Sequence, residues 1–241
     1  LYDKTLRLSK LSKDFLIEFN VEASMASQAA LLSKADLVSD MVVEFPDLQG
    51  IMGSYYSDLA GNNSEVSKAI KEHYLPRGLS DQIPETNLGG MLSLIDKVDT
   101  LTCFFKIGKK PTGSKDPFAL RRSASGIVQL LTEFNINMTL NKLFLCSLKL
   151  HNKVSKSLQI ELMDFLIERL KISLKNKNIK IDIINSMLSS DNVYNLSFQI
   201  ILQRINILSK KNEDERFKKF LVNFKRLNNI LKPNNLSNIS N

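Results

Sequence analysis

The chain has 241 residues, 43% hydrophobic and 24% charged, with a net charge of +8. Those proportions are ordinary for a folded globular chain and argue against disorder; no run approaches eighteen apolar residues and no signal-peptide succession opens the chain, which argues against a membrane class or export and for the cytosol. The length suits one large or two medium domains, and two are expected.

Helical periodicity dominates and β-branched alternation over strand lengths is scarce, so the expected fold class is all-α. From the N-terminus, helix-ending residues punctuate the chain at Glu44-Phe45-Pro46, at Gly61-Asn62-Asn63, at Pro76-Arg77-Gly78 through Pro84, and at Gly108 to Gly113. Before the first break, Asp36, Asp40 and Glu44 recur every four residues and are expected on one helical face, while Asp96 and Asp99 share another. Such carboxylates would hold a divalent cation if the two helices met, but ordinarily they form a solvated face or caps. The two histidines, His73 and His151, fall on opposite sides of the last break, which argues against a paired-histidine metal site. Cys103 and Cys146 stand singly in apolar helical segments and read as buried reduced thiols.

The segment Lys109-Lys110-Pro111-Thr112-Gly113 is the best domain boundary, dividing the chain into 1–110 and 111–241, because it coincides with a charge switch. Residues 1–110 hold 12 Lys and Arg against 15 Asp and Glu, whereas residues 111–241 hold 21 against 10, so the balance moves from −3 to +11. A basic unit behind a mildly acidic one predicts a polyanion partner for the former and a scaffolding or protein-facing role for the latter. A genome biased toward Lys and Asn codons is the plain alternative.

Past the boundary, Asp116-Pro117 sets an N-cap acceptor beside a proline suited to the first helical turn, so a helix is expected to start there. Leu120, Ala124, Ile127, Leu131 and Phe134 recur along its inner side, with Arg121, Arg122 and Ser125 facing elsewhere. Lys115, Arg121 and Arg122 thus gather at a helix N-terminus, where phosphate would also meet unpaired backbone N–H groups. Leu158, Leu162, Phe165 and Leu166 predict a second amphipathic helix. Phe217, Phe220, Leu221, Phe224 and Leu231 predict a third, its aromatics in the core and Lys218, Lys219, Lys225 and Arg226 outside. The Asn- and Ser-rich tail beyond Pro233 is expected to fray. No phosphate-cradling glycine loop and no Ser/His/Asp or Cys/His spacing is found, so no catalytic residue is expected.

The runs themselves resemble a known family. Leu32-Ser33-Lys34-Ala35-Asp36-Leu37-Val38, then Glu44-Phe45-Pro46-Asp47-Leu48-Gln49-Gly50 with Met52-Gly53, resemble the beta subunit of the tetrameric bacterial glycyl-tRNA synthetase. Glu72-His73-Tyr74-Leu75-Pro76-Arg77, Asp96-Lys97-Val98-Asp99-Thr100-Leu101 and Thr112-Gly113-Ser114-Lys115-Asp116-Pro117-Phe118-Ala119-Leu120-Arg121-Arg122 continue it in order. The last run resembles the opening of a helical anticodon-binding domain shared with arginyl-tRNA synthetases, and Phe224 to Lys232 resembles a later helix of it.

The resemblance implies an HD-like helical domain over 1–110 and an anticodon-binding-type helical domain, C-terminally incomplete, over 111–241. The lack of an initiator methionine at Leu1 and the family's greater length lead to the expectation of a piece of a longer chain. The resemblance further implies ATP- and magnesium-dependent attachment of glycine to its transfer RNA by two alpha and two beta subunits, with aminoacylation in alpha. This piece would then be non-catalytic, with no cofactor of its own. Lys115, Arg121, Arg122, Lys218, Lys225 and Arg226 are the candidate contacts to transfer RNA phosphates. The rival reading is an HD-type metal-dependent phosphohydrolase using Asp36, His73, Asp96 and Asp99, although Lys34-Ala35-Asp36 stands where such enzymes need a His-Asp pair. A further rival is an all-α interaction module whose basic face serves solubility.

Overall fold

The computed structural model describes residues 1–78, 81–152, 154–189 and 192–230, apart from the side chains of Lys225 and Asn228. The first half comprises α1 (Tyr2–Ser12), α2 (Leu16–Phe19), α3 (Ala23–Leu32), α4 (Asp40–Glu44), α5 (Ile51–Leu59), α6 (Ser64–Glu72) and α7 (Asn87–Lys106). The second comprises α8 (Leu120–Glu133), α9 (Leu140–Leu150), α10 (Lys156–Asn176), α11 (Ile181–Leu188), α12 (Phe198–Lys211) and α13 (Glu215–Ile230). Among the described residues there is no strand, only two isolated bridges, Thr112 with Lys115 and Thr139 with Ser197. The fold is all-α, and among the described residues each of the four expected breaks falls at a helix end or between helices.

Short polar side chains set the helix starts. Ser39, Asn63, Thr86, Thr139, Ser155 and Ser197 each accept a hydrogen bond from a backbone N–H two or three residues on, at the heads of α4, α6, α7, α9, α10 and α12. Asparagines set several ends. Asn20, Asn135, Asn152 and Asn178 take positive φ just after a helix, a conformation that asparagine tolerates better than most residues. At Asn135 the N–H of Ile136 reaches back to the carbonyl of Leu131 and closes the last turn of α8. The asparagine enrichment therefore has a structural use as well as a compositional one.

α7 is the central element. Fifteen of its twenty residues are buried, because α1, α3, α6, α8, α9 and α10 all pack on it. A helix surrounded in this way is apolar on every side rather than along one stripe. Gly90 permits one close approach: a Cβ there would stand 2.3 Å from the ring of Phe134, which closes α8. The apolar residues on both sides of the Gly108 to Gly113 stretch join one buried cluster running from Leu8 to Ile205.

Three local expectations are corrected. The helix expected at Asp116-Pro117 begins instead at Leu120, with Ala119 at φ 53°; Asp116 still caps it from upstream, its carboxylate accepting from the N–H groups of Leu120 and Arg121. Asp36, Asp40 and Glu44 do not share a helical face, because Ser39 ends a 3-10 turn (Ala35–Val38) and starts α4. Cys103 and Cys146 are free thiols as expected, but both are half-buried rather than enclosed.

Candidate functional site

The carboxylates Asp96 and Asp99 stand one turn apart on α7 and, contrary to a solvated face, are buried. Buried charge needs partners, and distant segments supply them. α1 brings Arg7, whose Nε and Nη2 donate to Oδ1 and Oδ2 of Asp99 at 2.8 and 3.0 Å. It also brings Lys4, at 2.9 Å from Asp96 and 3.5 Å from Asp99. His151, at the end of α9, places Nε2 at 2.9 Å from Asp99. Asp99 thereby joins α1, α7 and α9 across the expected domain boundary.

Lys34 occupies the other side of the cluster. Its ammonium donates to Asp96 Oδ2 at 3.0 Å and to His73 Nε2 at 2.7 Å, and lies 4.0 Å above the ring of Tyr74. The Nδ1 of His73 faces the carbonyl of Ile70 at 2.6 Å, which assigns the proton to Nδ1 and leaves Nε2 as the acceptor for Lys34. The four residues considered for a metal are therefore not gathered around a shared space. Asp36 accepts from the backbone N–H groups of Gly50 and Gly53 at 2.6 and 3.1 Å, and Gly53 is needed there because a Cβ would meet that carboxylate at 3.1 Å. His73 and Asp96 converge, but on the Lys34 ammonium. No cluster of three or more His, Cys, Asp or Glu fit for a metal occurs among the described residues.

The charges set the titration of the cluster. Burial alone would raise the Asp96 carboxyl, but Lys34 and Lys4 hold it well below its ordinary value. Burial likewise opposes ionisation of Asp99, and the hydrogen bonds from His151 and Arg7 outweigh it, bringing it to about 2. Burial, and then the Lys34 charge, push His73 well below 6.5. For Asp99 the folded value lies under the unfolded one, so its stabilisation is complete above about pH 4 and is lost as pH falls toward 2. His73 acts earlier, because below about pH 6.5 the unfolded chain takes a proton that the native chain refuses. Urea midpoints are therefore expected to decline from about pH 6.5 downward, in two stages. A midpoint constant between roughly pH 7 and 3 would contradict this assignment.

The candidate phosphate contacts take no part in this cluster of ion pairs. Lys115 and Arg122 are exposed beside the start of α8, while Arg121 is half-buried and donates from Nη2 to the carbonyl of Gly113 at 2.7 Å. Two of the backbone N–H groups expected to be open there, those of Leu120 and Arg121, are taken by Asp116. Lys218 and Arg226 are exposed on α13, Lys218 paired with Glu215 at 2.6 Å. The side chain of Lys225 lies outside the described residues, as do Leu231, Lys232 and Pro233. The expected aromatic core face of α13 is corrected: Phe217 is half-buried, whereas Phe220 and Phe224 are 58% and 56% exposed and lie in a loose stack with Phe217. Nothing among the described residues covers them, since α13 has few neighbours.

Sequence reasoning missed Lys4, Arg7, Lys34 and His151 as partners of α7. The signal available was the apolar run from Leu88 to Leu101, too continuous for a surface helix, with Asp96, Lys97 and Asp99 inside it.

Comparison with known proteins agrees with the order of the runs. A family model described as glycyl-tRNA synthetase beta subunit matches residues 1–189. The glycine–tRNA ligase beta subunit of Sulfurihydrogenibium sp. (strain YO3AOP1) is 40% identical over 234 residues, covering 96% of this chain and 32% of that one. Its counterpart in Clostridioides difficile (strain 630) is 44% identical over 196 residues, covering 79% and 28%. That of Ruegeria sp. (strain TM1040) is 38% identical over 225 residues, covering 93% and 32%. The chain spans about a third of the length of these curated relatives. With a family match reaching from α1 through α11 and relatives that follow the chain across the break before α8, it belongs to the glycyl-tRNA synthetase beta subunit family.

Proposed function

We propose that this chain is the part of a glycine–tRNA ligase beta subunit that grips transfer RNA during ATP-dependent glycylation. Residues 1–110 serve as scaffold and residues 111–241 face the RNA. The observation that carries the reading is the family match together with the charge division, which puts a balance of +11 on residues 111–241. Exposed cations at Lys115, Arg122, Lys218 and Arg226 give that half its phosphate contacts. Arg121 supports them by fixing the turn at Gly113. Aminoacylation, with ATP and magnesium, belongs to a partner alpha subunit, and alpha and beta assemble as a heterotetramer. The setting is the cytoplasm; among the described residues no helix is long and apolar enough to cross a membrane.

The test is a titration of the chain with glycine transfer RNA and an anticodon-altered version over a range of salt. Arg122→Glu with Lys115→Glu is expected to weaken binding at least about tenfold and to lower the salt slope by roughly one per contact removed. Equal affinity and slope in the double variant would remove this surface from the RNA interface. A loss of affinity on changing the anticodon would identify the anticodon loop as the part gripped.

A further inference from the structure

We propose that the cavity between α7, the turn at residues 74–77 and the start of α8 binds the phosphate and ring of a single nucleoside monophosphate. The cavity measures about 460 Å³, within the usual range for small-molecule sites, and Arg77, Arg122, Tyr74, Gln49 and Phe118 stand in its wall. It goes beyond the transfer RNA reading, with which it shares only Arg122.

Three features point to this ligand. The guanidinium groups of Arg77 and Arg122 have no acceptor among the described residues; Arg77 bonds only through its backbone N–H, to Asp81. Two such planar forks on one cavity match the oxygens of a phosphate monoester. Tyr74 forms part of the wall, its hydroxyl buried below the surface and without a partner among the described residues. The Phe118 ring, also in the wall and 43% exposed, is held by stacking on Phe104 at 4.3 Å. It offers a surface for a planar base, and Gln49, half-buried and with no side-chain partner among the described residues, offers an amide for a base edge.

The charges around the cavity favour an anion. Asp96 reaches the wall, but Lys34 and Lys4 already match it at 3.0 and 2.9 Å. Lys97 lies beneath, donating to the carbonyl of Leu75 at 3.1 Å and to Ser93 Oγ at 2.8 Å. Of the other nearby carboxylates, Asp36 is held by the N–H groups of Gly50 and Gly53, Asp116 by those of Leu120 and Arg121, and Asp81 by the Arg77 backbone N–H.

The probe is guanosine monophosphate, titrated into the whole chain by calorimetry, with guanosine and inorganic phosphate alongside. Saturable binding of the monophosphate is expected, with guanosine weaker by about tenfold or more, since a charge-assisted contact is lost. Arg77→Gln and Arg122→Gln should each weaken it by a similar factor. Lys218→Glu, outside the cavity, should leave nucleotide binding unchanged while lowering transfer RNA affinity, which separates the two readings. Competition between nucleotide and transfer RNA would identify the ligand as an unpaired nucleotide of the RNA, and simultaneous binding would identify it as a free nucleotide. Absence of saturable binding, or binding undiminished in a folded Arg77→Gln/Arg122→Gln variant, would overturn the proposal.

Discussion

Asp99→Ala is expected to lower folding stability by about 3–5 kcal/mol, the cost of leaving buried charge without its partner. Asp99 is 1% exposed and receives Arg7 through two hydrogen bonds and His151 through a third. Its removal strands the Arg7 guanidinium against α7 and frees the end of α9. For a chain of this size the melting temperature should fall by roughly 6–20 °C. A fall within about 2 °C of the unchanged chain would mean that the cluster relaxes at little cost. Replacing Arg7 and Asp99 together by apolar residues of similar volume should restore part of the loss, because it is the unmatched charge that destabilises.

A second large effect separates two kinds of phenylalanine. Phe144→Ala should cost about 3–5 kcal/mol, because that ring is wholly enclosed among the apolar residues of the main cluster. Phe220→Ala and Phe224→Ala should each change stability by less than about 0.5 kcal/mol, since their rings already meet solvent. Urea unfolding of the three variants compares them directly. A loss at Phe220 as large as that at Phe144 would show that the α13 face is covered in the isolated chain in solution.

The contrast explains what was legible. Phe220 recurs at helical spacing with Phe217, Leu221 and Phe224, which predicts a core face, and Phe144 stands in a comparably amphipathic helix. Periodicity reports which residues share a face. It does not report whether anything packs against that face, and Phe144 has α7 and α10 as neighbours of its helix where α13 has none of comparable extent. The cap at Asp116 went astray for a related reason: the residue type was right, but the αL turn at Ala119 moved the helix start by three residues.

Local sequence determined the all-α class, the four breaks, the charge division and the ordered runs that carry the family resemblance, because each depends on residues close together in the chain. Tertiary structure alone decided that Asp96 and Asp99 are buried and that Lys34, sixty-two residues from Asp96, fills the space beside His73. It also decided that Asp36 holds a glycine turn and that Arg77 and Arg122 meet at one cavity. Those outcomes depend on which segments the core brings into contact, and long-range packing of this kind leaves no periodic trace in the sequence.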